Sequence, residues 1–335
     1  MSDGAERNLQ ITLKSRPQGW VRESDFAIVE GPLPAIEEGE VLLKTLYLSL
    51  DPYMRGRMDE VKSYAASVNL GDVMVGGTVS EVVASQHAKF KPGDIVVGQA
   101  GWQRYAKASG DHVMRVPPGM PPSVFLGPAG MPGVTAWMGL FDIGQPKAGE
   151  TVAVSAASGA VGSVVGQLAK EKQCRAVGIA GGPEKCAYVV DALGFDACID
   201  YKRDGWIQEF KNATPDGVDV GFENVGGEVL DIVLRRTNPH ARIALCGLIA
   251  GYNATEPMGL QNVRALLVNR VRLQGFIVSD QLARWPEIIR ELAGRVAGGK
   301  LKYRETIADG LESAPRAFIG LLRGENFGKQ LVKVS

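Results

Sequence analysis

The sequence predicts an α/β protein with two domains, of which one is β-rich and the other is a doubly wound parallel sheet of the Rossmann type. The chain has 335 residues, which is long for a single hydrophobic core. Short apolar runs separated by Gly and Pro fill its first third, and from residue 151 such runs alternate with helix-like stretches. We therefore predict a β-rich domain over 1–125 and 300–335 and a nucleotide-binding domain over 126–299.

The composition is that of a soluble globular protein and excludes several partners. Lys plus Arg number 37 and Asp plus Glu number 37, so the net charge of zero gives no support for nucleic-acid binding. No apolar run approaches the ~20 residues that span a bilayer. The polar start "MSDGAERNLQ" lacks a signal-peptide core, which predicts a cytoplasmic protein.

The cysteines predict no metal site. None of the four lies in a C-x-x-C pair, and the three histidines are far apart from one another in the sequence. Structural zinc sites use closely spaced ligand pairs. We expect scattered reduced thiols that mostly fill apolar space. The four are Cys174, Cys186, Cys198 and Cys246.

The two halves of the chain differ in the rhythm of their apolar runs. "EVLLKTLYLSL", "GDIVVG" and "HVMRVP" predict short strands, with turns at "KPGD" and a Pro-rich connection over 116–133. In the second half "TVAVSAA", "RAVGIA" and "ACID" predict strands, whereas "GAVGSVVGQLAKEK", "PEKCAYVVDAL" and "GWIQEFKNA" predict helices. The short strands and turns of the first half indicate a barrel or sandwich. The alternation of strands with helices in the second half indicates a parallel sheet.

The stretch "AASGAVG" (156–162) stands where a phosphate-binding turn belongs, after a strand and at the start of a helix. It reads Ala157-x-Gly159-x-x-Gly162, so the first glycine of the usual motif is replaced by alanine. Gly159 would let the backbone approach a pyrophosphate, and Gly162 would let the helix pack closely on the strand. Residues Gly159, Ala160, Val161 and Gly162 are the predicted pyrophosphate contacts. A tight turn without a nucleotide is the alternative.

The end of the second strand favours NADP(H) over NAD(H). An NAD site has an acid there for the ribose 2′-hydroxyl, but "GIAGG" ends in Gly181-Gly182. Lys185 follows and would suit a 2′-phosphate. Glu184 beside it is ambiguous, and Lys185 could equally be an ordinary solvated helix residue.

Several blocks of the chain resemble the zinc-independent prostaglandin reductase branch of the medium-chain dehydrogenase/reductase superfamily. The blocks are "LYLSLDPYMRGRM", "AASGAVGSVVGQLAK", "FENVGGEVLD", "CGLIAGYN" and "GENFGKQLVKV". That branch includes leukotriene B4 dehydrogenase, plant double-bond reductases and bacterial NADPH-dependent curcumin reductases, and "KSYAASVNLGDVM" is most similar to the last. The resemblance spans essentially the whole chain. It implies a GroES-like barrel for the β-rich domain and a homodimer.

The same resemblance implies a reaction without a metal. Zinc-dependent relatives place a cysteine ligand after this first-domain strand and a Gly-His-Glu motif later, but this chain has "SLDPYM" and "GDVMVGG" and no cysteine before residue 174. The implied activity is NADPH-dependent reduction of the C=C bond of an α,β-unsaturated ketone or aldehyde. Hydride would reach the β-carbon and a proton the α-carbon.

Three tyrosines are the candidates for the chemistry that the resemblance implies. Tyr252 in "IAGYN" is the first candidate for proton donor or oxyanion partner, and its alternative role is contact with the nicotinamide ribose alone. Tyr53 and Tyr64 are second candidates that would line the substrate cleft. Met54 and Met58 would add adaptable apolar surface there.

The resemblance also implies further cofactor contacts, each of which could be merely structural. Asn224 and Asn326 stand at turns, where Asn is common for backbone reasons. Two other functions stay open: a zinc-free NADPH quinone oxidoreductase, and a non-catalytic protein that binds NADPH but turns over no enone. The implied contacts are Tyr201, Asn224, Cys246, Gly247, Phe276, Ile277, Val278 and Asn326.

Overall fold

The computed structural model describes residues 6–335, which fold into two units. The first, the β-rich unit, runs up to Leu126 and continues over Glu305–Asn326 and Gln330–Ser335. The second, the parallel-sheet unit, comprises Gly127–Arg304 and Phe327–Lys329. The assignment of these parts to substrate and nucleotide stays a prediction at this point.

The described residues form fifteen β-strands and nine α-helices. The strands are β1 (Asn8–Leu13), β2 (Phe26–Gly31), β3 (Glu40–Ser49), β4 (Thr78–Ser85), β5 (Ile95–Gly98), β6 (Tyr105–Ser109), β7 (Met114–Arg115), β8 (Thr151–Ser155), β9 (Arg175–Ala180), β10 (Ala197–Asp200), β11 (Val218–Glu223), β12 (Thr237–Leu245), β13 (Arg272–Gly275), β14 (Glu305–Asp309) and β15 (Lys329–Lys333). The helices are α1 (Tyr53–Arg57), α2 (Met131–Met138), α3 (Gly162–Glu171), α4 (Pro183–Ala187), α5 (Trp206–Ala213), α6 (Gly227–Arg235), α7 (Arg264–Val268), α8 (Trp285–Ala297) and α9 (Ala314–Leu322). Two π-helical segments, Gly139–Gly144 and Tyr188–Ala192, continue α2 and α4.

The β-rich unit is built on a seven-stranded sheet and a separate antiparallel pair of β1 with β2. The sheet runs β14-β15-β3-β4-β5-β7, and β6 pairs with β3. Its core centres on Trp102, which stacks on Phe26 at 5.4 Å between ring centroids and meets Phe318 edge-on at 5.6 Å. The prediction of a β-rich domain is confirmed in these strands.

The segment after β3 differs from the sequence interpretation. Met54 and Met58 were expected to offer adaptable apolar surface there, but the chain forms the short helix α1 and both methionines are fully buried. Their spacing of four puts them on one helix face, and that face packs into the core cluster of Trp102 and Phe318. The prediction for the two methionines was therefore wrong: they anchor α1 and offer no surface.

The parallel-sheet unit has the doubly wound strand order of a dinucleotide-binding fold. Its sheet runs β10-β9-β8-β11-β12-β13, with every neighbouring pair parallel. In sequence order this is 3-2-1-4-5-6, so the order reverses between β8 and β11, and ligands bind at the carboxyl ends of such a switch point. The predicted α/β fold class is confirmed.

The bounds of two strands in this unit agree with the sequence prediction, whereas the predicted "TVAVSAA" extends two residues past β8, which ends at Ser155. The predicted strands "RAVGIA" and "ACID" coincide with β9 and β10. β12 starts at Thr237, which pairs with Val218, and it ends at Leu245, before the apolar run that continues to residue 250 is complete. The residues that follow Leu245 are therefore free to form a loop at the edge of the sheet.

Gly166 inside α3 provides a test of how this helix packs on Phe195. A Cβ on Gly166 would lie 1.8 Å from the Phe195 ring, whereas a Cβ on Gly294 in α8 would meet nothing within 4 Å. We expect Gly166→Ala to destabilise the protein by about 1–3 kcal/mol through overpacking. Gly294→Ala should stabilise it by up to ~1 kcal/mol through helix propensity. Urea midpoints from circular dichroism measure both, and equal shifts would contradict the packing of α3 on Phe195.

Candidate active site

The turn between β8 and α3 fits a pyrophosphate. A Cβ on Gly162 would lie 2.5 Å from the carbonyl oxygen of Ala156, so α3 can begin this close to β8 only with glycine. Among residues 6–335, the backbone N–H groups of Val161 and Gly162 have no hydrogen-bond partner. Unpaired amides at the positive end of a helix are a binding site for phosphate. Gly159 and Ala160 complete the turn, and the predicted strand–turn–helix context is confirmed.

The alanine in place of the first motif glycine is accommodated by a neighbouring strand. Ala157 is completely buried. A Cβ on Gly178 in β9 would lie 2.7 Å from the Ala157 methyl carbon. The missing side chain at Gly178 therefore supplies the room that the motif usually obtains from its own first glycine.

The carboxyl end of β9 is a glycine turn covered by side chains from β10. A Cβ on Gly181 would lie 2.9 Å from the Tyr201 ring and 3.0 Å from Cε of Lys202. Asp200 Oδ1 accepts hydrogen bonds from the N–H of Gly182 at 2.8 Å and of Lys202 at 3.1 Å. The Asp200 carboxylate beside this turn is thus hydrogen-bonded to backbone amides.

Two lysines meet beside that glycine turn. Lys185 is half-buried in α4, and burial lowers its pKa from 10.5, with a further decrease caused by the charge of Lys202. Two interacting ammonium groups repel each other, and an anion between them removes that penalty. Glu184 is exposed. Sequence reasoning missed Lys202, although the signal was present as a cation directly after Tyr201 in "DYKRD".

At the switch point, Asn224 and a buried carboxyl connect the ends of β8 and β11. Asn224 donates from Nδ2 to the Ser155 carbonyl at 2.8 Å, and its backbone N–H donates to Ser155 Oγ at 2.7 Å. Glu223 Oε1 accepts from Ser155 Oγ at 2.8 Å and from the Val225 and Gly226 amides. Burial raises the pKa of Glu223. The structure gives Asn224 a clamping role, and its predicted cofactor contact stays a prediction.

Tyr252 lies over the loop that leaves the carboxyl end of β12. Its hydroxyl oxygen accepts the Leu248 N–H at 3.3 Å and lies 3.2 Å from the position of a Cβ on Gly247. The Cys246 and Gly247 amides donate to the Glu223 carbonyl at 2.9 and 3.1 Å, which fixes this loop on β11. Burial, with the charge of Glu223, raises the pKa of Cys246 to about 12. The Leu248 N–H thus holds the phenol oxygen of Tyr252 at the loop after β12.

The last strand of the sheet brings the remaining predicted residues of this unit to the same edge. Phe276, Ile277 and Val278 follow β13 and are all half-buried. The Phe276 ring meets Phe222 edge-on at 6.4 Å, so this ring also packs on the sheet. The predicted cofactor residues from 159 to 278 thus follow the carboxyl ends of β8 to β13.

A C-terminal segment joins the glycine turn. Gly328 pairs with Gly159 as a parallel bridge, and the Arg304 guanidinium lies 3.8 Å from the centroid of the Phe327 ring. The sequence interpretation missed Arg304 and Phe327; the block "GENFGK" contains Phe327, and Arg304 lies outside it. Asn326 belongs to the β-rich unit, so its predicted contact with the cofactor stays a prediction.

In the β-rich unit, Tyr53 and Tyr64 belong to one cluster. Burial raises the pKa of Tyr53, the charge of Asp51 and the Tyr64 hydroxyl raise it further, and Arg57 opposes them. Tyr53 therefore holds its proton firmly, whereas the Tyr64 side chain is 59% exposed. Arg57 was missed: its Nε and Nη1 are buried and have no hydrogen-bond partner among the described residues. Its place in "DPYMRGRM" is the only signal that sequence offered.

The described residues contain no candidate metal site and no candidate membrane-spanning helix. No group of three or more His, Cys, Asp or Glu between residues 6 and 335 is placed to hold a metal ion. Over the same stretch, the helices are too short or too polar to cross a bilayer. The prediction of metal-free catalysis rests on the sequence argument and stays a prediction.

Fold and site together define a dinucleotide-dependent oxidoreductase. The chain belongs to the medium-chain dehydrogenase/reductase family, which confirms the sequence prediction. A family model described as the N-terminal domain of oxidoreductase matches residues 9–116. One described as zinc-binding dehydrogenase matches residues 160–294.

Individual relatives match nearly the whole chain. NADPH-dependent curcumin reductase from Escherichia coli is 49% identical, with 100% of this chain and 99% of the relative covered. A 2-alkenal reductase (NADP(+)-dependent) from Nicotiana tabacum is 41% identical, with 98% of each covered. The crystal structure of CurA in complex with NADPH from Vibrio vulnificus is 49% identical, covers 98% of this chain and 99% of its own, and superposes with a TM-score of 0.93.

The lysine pair predicts a cofactor preference that mutation can remove. Lys185→Ala and Lys202→Ala should each weaken NADPH binding by about 1.5–3 kcal/mol, because each removes a charged hydrogen bond to the 2′-phosphate. Binding of NADH, which has no 2′-phosphate, should stay nearly unchanged. Lys211→Ala, at an exposed position of α5, is the matched control. Calorimetric titration with both cofactors measures the effect.

The pH dependence of binding separates this role from a general loss of charge. Since the pKa of Lys185 is lowered, its ammonium charge is lost earlier as the pH rises, and NADPH affinity should fall on the alkaline side below 10.5. NADH affinity should not follow. If Lys185→Ala weakens both cofactors equally, or keeps the same pH profile, Lys185 is not the discriminator.

Proposed function

We propose that the chain reduces the carbon–carbon double bond of α,β-unsaturated ketones and aldehydes with NADPH. One observation carries the proposal: over nearly its full length the chain matches reductases whose names give curcumin and 2-alkenals as substrates. The sequence predictions of an enzyme, of an enone reductase and of NADP(H) are confirmed by these relatives and by the NADPH complex.

The residues present fit NADP(H). The amides at the start of α3 suit the pyrophosphate. Because Gly162 lets α3 begin close to β8, these amides remain open to the pyrophosphate. Lys185 and Lys202 beside Gly181 suit the 2′-phosphate. When bound, NADPH supplies the hydride for the reaction.

The chain itself has three tasks: to hold the acceptor, to stabilise charge on its carbonyl oxygen and to deliver a proton to the α-carbon. Tyr252 can serve the second or third task, since its phenol lies at the loop that leaves the carboxyl end of β12, where ligands of such a sheet bind. Tyr53 can donate a hydrogen bond, because its raised pKa keeps it protonated. The half-buried Arg57, which interacts electrostatically with Tyr53, adds a positive charge that suits a carbonyl oxygen.

The acceptor, the location and the oligomeric state are finer proposals. Both relatives act on conjugated carbonyl compounds that differ greatly in size, which supports the class of substrate and leaves the physiological enone open. A cytoplasmic homodimer agrees with the sequence expectation and with the frequency of symmetric dimers. Fractionation and light scattering would test these two points.

A quinone oxidoreductase is the second candidate, and a non-catalytic NADPH-binding protein is the third. Both would use the same pyrophosphate turn and the same lysines. The "DPYMRG" block of the sequence argues against the quinone oxidoreductase branch. The substrates in the names of the relatives support an enone as the acceptor.

A cofactor-oxidation screen tests the function. Both with and without EDTA, NADPH should be oxidised in the presence of short enals, aryl enones and prostaglandin-like ketones, with a saturated product. Quinones should be poorer acceptors. Turnover of quinones alone would favour the second candidate, NADPH binding with no turnover the third, and activity lost only on chelation would contradict metal-free catalysis.

The roles of the tyrosines can be separated by removing single hydroxyl groups. Tyr252→Phe should lower kcat by roughly 10²-fold or more if that hydroxyl donates the proton, the usual scale for a general acid. Tyr53→Phe and Tyr64→Phe should act mainly through KM, because they remove binding that ground and transition states share.

Steady-state kinetics with one enone measure these effects, and Tyr47→Phe in β3 is the control for loss of a distant hydroxyl. An unchanged kcat for Tyr252→Phe together with inactivity of Tyr64→Phe would exchange the two roles. A small decrease for Tyr252→Phe would instead assign the proton to water or to the cofactor ribose.

A further inference from the structure

Two cysteines of the parallel-sheet unit lie in contact. The Sγ atoms of Cys186 in α4 and Cys198 in β10 are 3.1 Å apart, and Cys198 donates a hydrogen bond to Cys186. Both thiols are free and both residues are half-buried. The sulfur atoms need to approach by only about 1 Å to reach the bonded distance of ~2.05 Å.

The other two cysteines show that this contact is not general in the chain. Cys174 is buried, and its thiol donates to the Lys147 carbonyl at 3.2 Å. Cys246 is half-buried, and its thiol interacts with Glu223. Among the described residues, neither has another thiol within hydrogen-bond distance.

We infer that Cys186 and Cys198 are a modification site, at which a hydroperoxide closes a reversible disulfide bond. The Cys186 thiolate attacks the O–O bond, gains an oxygen atom as sulfenic acid and releases water or an alcohol. Cys198 then attacks that sulfur, forms the S–S bond and releases the oxygen as water. Two electrons pass from the two thiols to one peroxide, so the step balances.

The surroundings assign the order of the two thiols. The hydrogen bond from Cys198 lowers the pKa of Cys186, which therefore attacks first. The same contact, followed by burial and the charge on Cys186, raises the pKa of Cys198. Once Cys186 is a neutral sulfenic acid, that charge is gone, and Cys198 can become the resolving thiol.

The disulfide would join the two segments of the chain that carry the lysine pair. Cys186 follows Lys185 in the chain, and Cys198 precedes Asp200, whose carboxylate holds the amides of Gly182 and Lys202. Closing the bond draws α4 toward β10 and moves Lys185 relative to Lys202. This consequence rests on the proposed role of the two lysines at the 2′-phosphate. It predicts weaker binding of NADPH in the oxidised protein.

Peptide mapping after peroxide treatment tests the site directly. Hydrogen peroxide followed by alkylation should give a cross-linked peptide that contains Cys186 and Cys198, lacks two hydrogens and disappears with dithiothreitol. Cys186→Ser and Cys198→Ser should abolish it, and the control Cys174→Ser should retain it. A disulfide with any other cysteine, or only sulfinic acid at the two positions, would overturn the inference and leave the lysine pocket untouched.

Titration of reduced and oxidised protein tests the consequence. The dissociation constant for NADPH should rise about fivefold on oxidation, on the scale of a weakened charged hydrogen bond, and that for NADH should not change. Equal changes for both cofactors would overturn the link between the disulfide and the phosphate. If Lys185→Ala and Lys202→Ala leave the NADPH preference intact, the proposed role of the two lysines at the 2′-phosphate is wrong. The disulfide is not affected by that result, because peptide mapping detects it independently.

Discussion

The start of α3 lies so near the end of β8 that Gly162 has no room for a Cβ, and the rest of the site depends on this close approach. It places the open amides of Val161 and Gly162 at the point where the strand order reverses. Because all neighbouring strands are parallel, their carboxyl ends meet at the same edge. Residues far apart in the sequence, from Gly159 to Val278, therefore follow that one edge, where a long, charged cofactor can be held.

Cofactor choice follows from what one carboxylate does. Asp200 lies at the end of β10, and its Oδ1 accepts hydrogen bonds from the amides of Gly182 and Lys202. The carboxylate therefore organises the turn. The turn then carries Lys185 and Lys202, and their mutual repulsion is relieved by a phosphate. The same short region also holds the Cys186–Cys198 contact. The proposed phosphate recognition and the proposed thiol chemistry would thus be coupled through the packing of α4 on β10.

The sequence predicts well what depends on local pattern. Buried parallel strands such as β9 and β10 are continuous apolar runs, so their bounds could be predicted to the residue. Met54 and Met58 were misjudged because an Asp-Pro pair reads as a loop, while the helix that follows depends on packing against Trp102 and Phe318. Lys202, Arg57 and Arg304 were missed because their importance lies in what surrounds them. The thiol contact joins residues twelve positions apart, on a helix and a strand whose packing no spacing rule specifies.

The central claim is that the chain holds a conjugated carbonyl compound so that hydride and proton reach different carbons. Isotope labelling of one enone product tests it most directly. With NADPH deuterated at C4 on the transferred face, in ordinary water, deuterium should appear only at the β-carbon. With unlabelled NADPH in D2O, it should appear only at the α-carbon. Deuterium from the cofactor at the α-carbon or at the carbonyl carbon would contradict the account.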